Sequence, residues 1–426
     1  MEECTNFMYQ LRAEKHKGEP LKAMNLILRL LDNPHEKVPF VHIAGSNGKG
    51  STANYLKEIL TLSNVKVGAF ISPHFERVNE RITINGVEIP DERFLALSNQ
   101  LFDIIETHLR GEYPSFFELM TIISFMYFAE EQVDIAIVEA GIGGRFDCTN
   151  VIHPLVSIIT TISLEHTEIL GETFEQVAYQ KAGIIKKGIP IITAVKHEEA
   201  LKVIEAEAEK NFAPIFKFGE DFLGLDVELN HPYHQFTYQL GEVKLPIQLS
   251  MQGLHQIANA CTAITAATIL RSSGFIQITD QFIQTALQKA TWPGRFELFN
   301  NQIILDGAHN LEGVTALIDT LTTLYPNKKY KFIYSVMKDK DYEQSIPLLE
   351  NVASKIYYTE LPVPRAAKAK ELLNQSKHPL ASAHENWTNL LEQEILRLKE
   401  DDVLIITGSL YFIAEVRKYL ITKEEV

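Results

Sequence analysis

Short apolar runs alternate with amphipathic stretches along most of this sequence. In the first half of the chain, five of these runs predict buried β-strands, because each is apolar on both faces and is bounded by glycine, proline or a helix-like segment. They cover residues 38–44, 65–71, 134–139, 156–162 and 189–195. Strands of this kind, separated by helices, indicate a mostly parallel sheet with helices on both sides.

The pattern changes between residues 213 and 250, where apolar and polar residues alternate. The alternating positions are Phe216 and the runs 223–229, 236–240 and 243–249. Alternation is typical of strands with one solvated face, so we predict a small antiparallel insert in this region. An alanine-rich helical pattern follows over residues 255–273.

A second series of predicted strands begins after Pro293 and Gly294. The runs have the same buried character and are separated by helical patterns; they cover residues 302–306, 330–336, 355–360 and 402–407. We therefore expect an α/β protein with two domains. A larger N-terminal domain, residues 1–297, would have the mostly parallel sheet of a P-loop ATPase, and a smaller C-terminal α/β domain would cover residues 298–426.

Charge and composition limit the possible partners. Lysine and arginine number 40 and aspartate and glutamate 55, so the net charge is −15. Nucleic acids and anionic membranes attract basic surfaces, and we expect neither as a partner. No apolar run reaches the ~18 residues that a transmembrane helix needs, and residues 1–20 lack the apolar core of a signal peptide. Three widely spaced cysteines do not suggest a disulfide framework, so we expect a cytoplasmic location.

The strongest chemical signal is the glycine-rich segment 45–52, GSNGKGST. It follows a predicted strand and opens a predicted helix, where backbone N–H groups and the helix N-terminus attract phosphate. Lys49 adds a positive charge and Ser51 a hydroxyl. The ordinary P-loop has a glycine in place of Ile43 and a hydroxyl in place of Gly50, so the spacing differs. The alternative is a plain turn with a surface lysine; motif and context together favour a phosphate site.

Polar residues follow the predicted strands beside this loop. Glu139 ends the run 134–139, where a carboxylate is placed to hold the Mg²⁺ of ATP. His166 follows the next predicted strand, the run 156–162. We expect these two strands to be adjacent, which brings their carboxyl ends together so that Glu139 and His166 can share a metal site. Ser72 can offer its hydroxyl to a metal or phosphate, or cap a turn. The alternatives are a water-facing glutamate and a structural histidine, and imidazole is a less usual magnesium ligand than oxygen.

Four further positions give weaker signals. Lys181 lies near a helix end and is most simply a cation that favours that end. Phe117 is either a core residue or a stacking surface. Arg295, in the presumed linker, can reach across a cleft to neutralise phosphate. Asp306 ends the first strand of the second domain, the position at which α/β folds bind ligands.

Seven motifs occur in an order that resembles one family. They are residues 45–51, 72–74, 141–150, 165–167, 181–185, 294–297 and 306–310. With them, nearly the whole chain resembles folylpolyglutamate synthase, alone or combined with dihydrofolate synthase, within the Mur ligase superfamily. Five positions differ from the family's usual residues without removing a phosphate or metal ligand: Ser46, Ser115, Glu165, Gln180 and Leu311.

The resemblance implies ATP and two Mg²⁺ ions at a cleft between the domains. The residues that match nucleotide contacts are Asn47, Gly48, Lys49, Gly50, Ser51, Asn259, Arg295 and Asp306. The residues that match magnesium ligands are Ser72, Glu139 and His166. Lys181 matches a lysine that is carbamylated in the family, which would turn it into an oxygen ligand. The expected catalytic residues are therefore Lys49, Lys181 and His166.

The resemblance also implies where the substrates bind. The residues that match the pterin side are Phe117, Glu118, Arg145 and Asp147. The residues that match positions linked to the incoming glutamate are His309, Ser409 and Tyr411.

The implied reaction is ATP-dependent amide formation between the carboxylate of a reduced folate and L-glutamate, through an acyl phosphate. The resemblance leaves open whether dihydropteroate is a second acceptor. We expect the protein to be a monomer. A peptidoglycan-building Mur ligase is the alternative in the same class, but such enzymes carry a nucleotide-sugar domain before the phosphate loop, and only 44 residues precede Gly45 here. The alternative in another class is an ATP-binding regulatory or transport module, which would not release ADP in response to glutamate.

Overall fold

A computed structural model describes residues 1–11, 21–109, 112–340 and 342–424. Its contacts divide the chain into two compact units. The first unit comprises Met1–Asp226, Phe236–Gln248 and Ile257–Ala290. The second comprises Val227–Gln235, Leu249–Gln256 and the chain from Thr291 onward. The domain boundary between residues 297 and 298 stays a prediction.

The first unit contains an eight-stranded sheet in the described part of the chain, in the order β4-β3-β2-β5-β1-β6-β7-β8. Its strands are β1 (Phe40–Ala44), β2 (Val67–Phe70), β3 (Ile82–Ile84), β4 (Val87–Glu88), β5 (Ile135–Glu139), β6 (Val156–Ile159), β7 (Ile191–Thr193) and β8 (Ile215–Lys217). The strands from β2 to β8 in this order pair in parallel, and β3 and β4 add an antiparallel edge. The predicted mostly parallel sheet is confirmed.

Helices cover this sheet. They are α1 (Glu2–Gln10), α2 (Lys22–Leu30), α3 (Lys49–Leu62), α4 (Asp91–Leu109), α5 (Phe116–Glu130), α6 (Thr167–Leu170), α7 (Phe174–Lys181), α8 (Glu198–Lys210), α9 (Leu254–Ser272) and α10 (Asp280–Lys289). One buried cluster joins α4 and α5 to Phe40, Phe70 and Val138, and another joins α7 and α8 to Ile159 and Ile191. These two clusters fix the sheet whose strand ends carry the candidate site.

The region 213–250 differs in part from its prediction. Phe216 lies in β8, which pairs in parallel with β7 at the edge of the large sheet, so its assignment to the antiparallel insert was wrong. The insert itself is a three-stranded sheet in the order β11-β10-β9, formed by β9 (Phe222–Glu228), β10 (His234–Leu240) and β11 (Val243–Leu249). Only two residues separate β10 from β11, a connection that permits antiparallel pairing alone.

The second unit has a six-stranded sheet in its described residues, in the order β12-β13-β17-β14-β15-β16. Its strands are β12 (Glu297–Phe299), β13 (Ile303–Asp306), β14 (Lys329–Tyr334), β15 (Ala353–Thr359), β16 (Ala381–His384) and β17 (Asp402–Thr407). Its helices are α11 (Leu311–Leu324), α12 (Tyr342–Val352), α13 (Ala369–Gln375), α14 (Trp387–Leu396) and α15 (Leu410–Glu424). All pairs are parallel except β12 with β13.

The described helices include none that is both long and apolar enough to cross a bilayer. The longest apolar stretch of the sequence, around residues 120–129, lies inside α5 and is buried in the first unit. Helix α5 begins at a capping box in which Ser115 and Glu118 satisfy each other's backbone N–H groups.

Candidate functional site

A glycine-rich loop, residues 45–48, connects β1 to α3. Gly48 has a left-handed backbone with φ of 87°, and a Cβ atom on it would lie 2.4 Å from Oδ1 of Asn259. A Cβ atom on Gly45 would lie 1.9 Å from Oγ1 of Thr160. Both positions therefore require glycine, for conformation and for space. The structure thus brings Asn259, in α9, directly against the predicted phosphate loop.

Two threonines that follow β6 hold this loop. The backbone N–H of Ser46 donates to the carbonyl of Thr161 at 2.9 Å, and that of Asn47 donates to Oγ1 of Thr161 at 2.9 Å. The hydroxyl of Thr160 donates to the carbonyl of Asn47 at 2.6 Å. The backbone N–H and carbonyl of Asn47 thus both help to hold the loop in place. The loop leads directly into the first turn of α3, with Gly50 and Ser51, and the N-terminus of a helix is the arrangement that binds phosphate.

Lys49 folds back over the loop that precedes it. Its Nζ donates to the carbonyl of Gly45 at 2.8 Å and to that of Ser46 at 3.3 Å. The same Nζ lies 3.8 Å from Oε1 of Glu139. Glu139 is only 3% exposed. A cation and a buried carboxylate thus meet at the carboxyl ends of β1 and β5.

Ser72 reaches the same place from β2. Because β2 pairs in parallel with β5, its carboxyl end lies beside that of β5, and the backbone N–H of Ser72 donates to Oε2 of Glu139 at 3.2 Å. A hydroxyl and a carboxylate are hard oxygen donors, which suit Mg²⁺. Among the described residues, no three His, Cys, Asp or Glu side chains come together as a metal cluster.

The pairing of Glu139 with His166 rested on a wrong strand order. We expected β5 and β6 to be adjacent, but β1 lies between them and pairs with both. Glu139 and His166 therefore follow strands on opposite sides of the phosphate loop's strand. His166 is exposed and has a positive φ of 48°, an uncommon conformation for a residue other than glycine.

Lys181, at the end of α7, is 2% exposed and forms an ion pair with Glu165 at 2.9 Å. Burial lowers the pKa of Lys181 to about 8, aided by the charge of Lys49 and opposed by Glu165. Burial raises the pKa of Glu165, but Lys181 and Lys49 outweigh it and lower that pKa to about 2. The residues alone indicated only a helix-end cation here, because burial and the Glu165 contact depend on tertiary structure.

The residues expected on the pterin side have different surroundings. The ring of Phe117 packs against Phe70, with centroids 5.6 Å apart, and a Cβ atom on Gly141 would lie 2.5 Å from that ring. Asp147 accepts hydrogen bonds from the backbone N–H groups of Gly141 and Ile142, both at 3.0 Å. Burial raises the pKa of Asp147, and these hydrogen bonds oppose that shift. Phe117 and Asp147 therefore converge on Gly141.

Glu118 and Arg145 make contacts within the protein. A carboxylate oxygen of Glu118 accepts the hydroxyl proton of Ser115 at 2.7 Å. The guanidinium of Arg145 donates to Glu207 at 3.0 Å and lies 3.9 Å from the centroid of the Tyr179 ring. None of these three contacts involves Phe117 or Asp147.

In the second unit, Asp306 organises the turn after β13. Its carboxylate accepts hydrogen bonds from the backbone N–H groups of Phe296, at 2.8 Å, and Ala308, at 2.9 Å. A Cβ atom on Gly307 would lie 2.9 Å from Nη1 of Arg295. Burial raises the pKa of Asp306, and the charge of Arg295 lowers it. Asp306 and Arg295 are thus close together.

The residues predicted to bind the incoming L-glutamate follow the ends of two paired strands. Asp306 pairs with Thr407 in the register of β13 with β17, so His309 and Ser409 follow neighbouring strand ends. Nδ1 of His309 donates to the carbonyl of Gly307 at 2.7 Å. Ser409 is buried, and Tyr411, in the first turn of α15, is 39% exposed.

Family models match most of the chain. The Mur ligase middle domain matches residues 43–267, and the Mur ligase glutamate ligase domain matches residues 294–410. The dihydrofolate synthase/folylpolyglutamate synthase of Bacillus subtilis (strain 168) is 40% identical over 406 residues, which is 94% of each chain.

Solved structures match over almost the full length. The apo form of the L. casei folylpolyglutamate synthase superposes with a TM-score of 0.88 and 30% identity, over 99% of each chain. A complex of folylpolyglutamate synthase with AMPPCP and folate gives a TM-score of 0.86 and 30% identity, again over 99% of each chain. The chain belongs to the folylpolyglutamate synthase/dihydrofolate synthase family of the Mur ligase superfamily.

Proposed function

We propose that this protein is an ATP-dependent ligase that joins L-glutamate to the carboxylate of a reduced folate and releases ADP and phosphate. The observation that carries the proposal is the phosphate loop with Lys49 folded over it, 3.8 Å from the buried Glu139. Family membership adds the type of reaction, and a relative of the same fold binds both AMPPCP and folate.

The chemistry requires two steps. A carboxylate is a poor electrophile, because its oxygen is a poor leaving group. Transfer of the γ-phosphoryl group of ATP to the folate carboxylate forms an acyl phosphate. The amine of glutamate then attacks the acyl carbon, the C–N bond forms, and the C–O bond to phosphate breaks. The amine loses its proton, and phosphate takes the electron pair.

The protein's main task is to hold several anions together. At ~4 Å and an effective dielectric of ~20, two like charges repel by about 4 kcal/mol. Lys49 supplies a cation at the loop, and the amides of α3 supply aligned dipoles. We propose that the other nucleotide contacts are those implied by the motifs, in Asn47, Gly48, Gly50, Ser51, Asn259, Arg295 and Asp306.

The oxygen donors described above fit magnesium. We propose that Ser72, Glu139 and His166 hold two Mg²⁺ ions, which when bound would neutralise negative charge on the phosphate oxygens. Lys181 has the lowered pKa that favours a neutral amine. We propose that this amine attacks carbon dioxide: a C–N bond forms, one proton leaves, and the product is a carbamate whose oxygens can serve as a hard ligand.

We propose that the substrates bind where the motifs indicate. The pterin side comprises Phe117, Glu118, Arg145 and Asp147, and the glutamate side comprises His309, Ser409 and Tyr411. Dihydropteroate is a second proposed acceptor, because the B. subtilis relative carries both synthase names at 40% identity. A monomeric state and a cytoplasmic location also remain proposals.

An assay of ADP release tests the function. The protein is incubated with Mg²⁺ and ATP plus tetrahydrofolate, dihydropteroate or a UDP-muramoyl peptide, each with and without L-glutamate. We expect glutamate-dependent release with tetrahydrofolate, and release with dihydropteroate if that second activity is present. Release with the muramoyl peptide alone would identify a peptidoglycan ligase. Nucleotide binding without any glutamate-dependent release would identify a module that is not a ligase.

A further inference from the structure

The loop that carries Ser72 is held in place by residues that are not themselves proposed to bind magnesium or nucleotide. We call residues 71–77 the β2 loop; it connects β2 to the short 3-10 turn Val78–Arg81. Near its start, the backbone N–H of Ser72 donates to Glu139 at 3.2 Å. The position of the Ser72 hydroxyl therefore depends on the conformation of this loop.

A single carboxylate binds the far part of the β2 loop. The Oε2 atom of Glu80 accepts a hydrogen bond from the backbone N–H of Phe75 at 2.7 Å. Its Oε1 atom accepts two more, from the N–H groups of Glu76 at 2.8 Å and Arg77 at 2.6 Å. Three consecutive amides that converge on one anion restrain the backbone of all three residues, and hydrogen bonds to a charged acceptor are stronger than neutral ones.

The next residue adds a second restraint. The backbone carbonyl of Arg81 accepts a hydrogen bond from the N–H of Ile71 at 3.0 Å, and Nε of Arg81 donates to Nδ1 of His74 at 2.9 Å. Arg81 is 7% exposed, so its position is fixed by packing. Glu80 and Arg81 together thus hold the β2 loop on both sides of Ser72.

We propose that Glu80 is a positioning residue for the magnesium site, because it keeps the β2 loop in the conformation that places Ser72 beside Glu139. The inference rests on the proposed function, which assigns Ser72 and Glu139 to magnesium. In this scheme Glu80 acts only through the loop and is not itself a ligand of metal or nucleotide.

The test measures nucleotide binding rather than turnover. Glu80→Gln keeps the shape of the side chain but replaces one acceptor oxygen with an NH₂ group that cannot accept the loop amides. We expect the affinity for AMPPCP in the presence of Mg²⁺ to fall about tenfold or more, the usual effect of losing an outer-shell partner of a metal site. The affinity in EDTA should equal that of the parent. Glu92→Gln, which changes an exposed carboxylate in the first turn of α4, is the matched control and should alter neither affinity.

A double-mutant cycle identifies the route of the effect. If Glu80 acts through Ser72, adding Glu80→Gln to Ser72→Ala should cause no further loss of Mg²⁺-dependent affinity. Additive losses, or a normal affinity in Glu80→Gln, would overturn the proposal. Circular dichroism checks folding, and Glu80→Asp takes the place of Glu80→Gln in the same cycle if the latter does not fold. The parent's ADP release tests the function separately, since this cycle needs only AMPPCP and Mg²⁺.

Discussion

At the scale of single residues, two lysines set the charge of the site. Lys49 lies 3.8 Å from Glu139, and Lys181 lies 2.9 Å from Glu165. The two lysines also act on each other, because the charge of Lys49 lowers the pKa of Lys181. The two side chains differ in exposure. That of Lys49 is 15% exposed and can contact a ligand, whereas that of Lys181 is only 2% exposed and is buried.

The first prediction concerns Lys49. Lys49→Ala removes the cation at the phosphate loop, and we expect kcat to fall about 100-fold or more, as for other preorganised charge-stabilising groups. The melting temperature should change little. Lys244→Ala, which changes an exposed lysine of β11, should leave ADP release at the parent rate. Near-normal turnover of Lys49→Ala would contradict the assignment.

The second prediction concerns Lys181 and carbon dioxide. Carbamylation needs the neutral amine, whose fraction grows as the pH rises through its pKa of about 8. In the presence of ¹³C-bicarbonate, we expect a carbamate signal in the ¹³C NMR spectrum that increases from pH 7 to pH 9. Lys181→Arg should lack this signal, because a guanidinium stays protonated. A signal of equal size in that variant would place the modification elsewhere.

The third prediction concerns the partner of Lys181. The pKa of Glu165 is about 2 in the folded protein, below its ordinary value of 4.5. Its contribution to stability is therefore fully present above pH 4.5 and is lost as the pH falls toward 2. In protein prepared without bicarbonate, where Lys181 is unmodified, Glu165→Gln leaves Lys181 buried without its partner, which costs about 3 kcal/mol at neutral pH.

Urea unfolding of the parent and of Glu165→Gln measures this effect. The difference between their unfolding free energies should be constant near neutral pH and narrow below pH 4.5. A difference that does not depend on pH would mean that the Glu165 charge is not what stabilises the fold.

At the scale of elements, the site is built from strand ends and the loops that follow them. Three parallel strands, β2, β5 and β1, bring Ser72, Glu139 and the phosphate loop to one edge of the sheet. The loop after β1 is so close to α9 and to the end of β6 that side chains are excluded at Gly45 and Gly48. The geometry of this loop is therefore a property of the packed elements, as well as of its own sequence.

The fourth prediction tests this close packing. Gly48→Ala places a Cβ atom 2.4 Å from Oδ1 of Asn259 at a residue with φ of 87°, so the Asn259 side chain or the start of α3 must move. We expect AMPPCP affinity to fall markedly. Gly188→Ala is the matched control: Gly188 has φ of 71° but open space around it, so alanine there carries only the backbone cost of about 1 kcal/mol. It should lower the melting temperature without lowering AMPPCP affinity. Equal affinities in the two variants would contradict the packing argument.

At the scale of the whole molecule, each unit places its candidate ligand-binding residues at the carboxyl ends of parallel strands. In the first unit these ends carry Ser72 and Glu139; in the second they carry Asp306 and Ser409. This is the general ligand position of open α/β sheets, where connections leave room between the helices. A nucleotide bound at the loop that follows β1 in the first unit would stabilise the folded state.

The fifth prediction follows from that stabilisation. At 100 times its Kd, a ligand that binds only the folded state adds about 2.7 kcal/mol to stability. With Mg²⁺ and saturating AMPPCP, we expect a clear rise of the melting temperature, measured by scanning calorimetry. EDTA should reduce that rise, and Lys49→Ala should remove most of it. A rise of the same size in Lys49→Ala would place the nucleotide elsewhere.

The sequence by itself determined the α/β class, the buried parallel strands and the phosphate loop. Continuous apolar runs identify β1, β2 and β5, because a strand buried on both faces has no polar positions to interrupt the run. Edge strands lack this signal. Strand β16, Ala381–His384, has only four residues, most of them with small side chains, and all four are half-buried, so it was not predicted. Phe216 was misassigned for a related reason, since the three residues of the edge strand β8 are only half-buried.

Only the tertiary structure decided which strand ends are neighbours and which charges are buried. Strand order is set by long-range packing, so the sequence could not show that β1 separates Glu139 from His166. The same holds for Lys181, whose low pKa arises from burial among distant residues. Glu80 drew no attention in the sequence, because the three amides that it holds acquire their common direction only in the folded β2 loop. Local pattern thus determines the elements, whereas the electrostatics of the site arise from contacts between residues far apart in the chain.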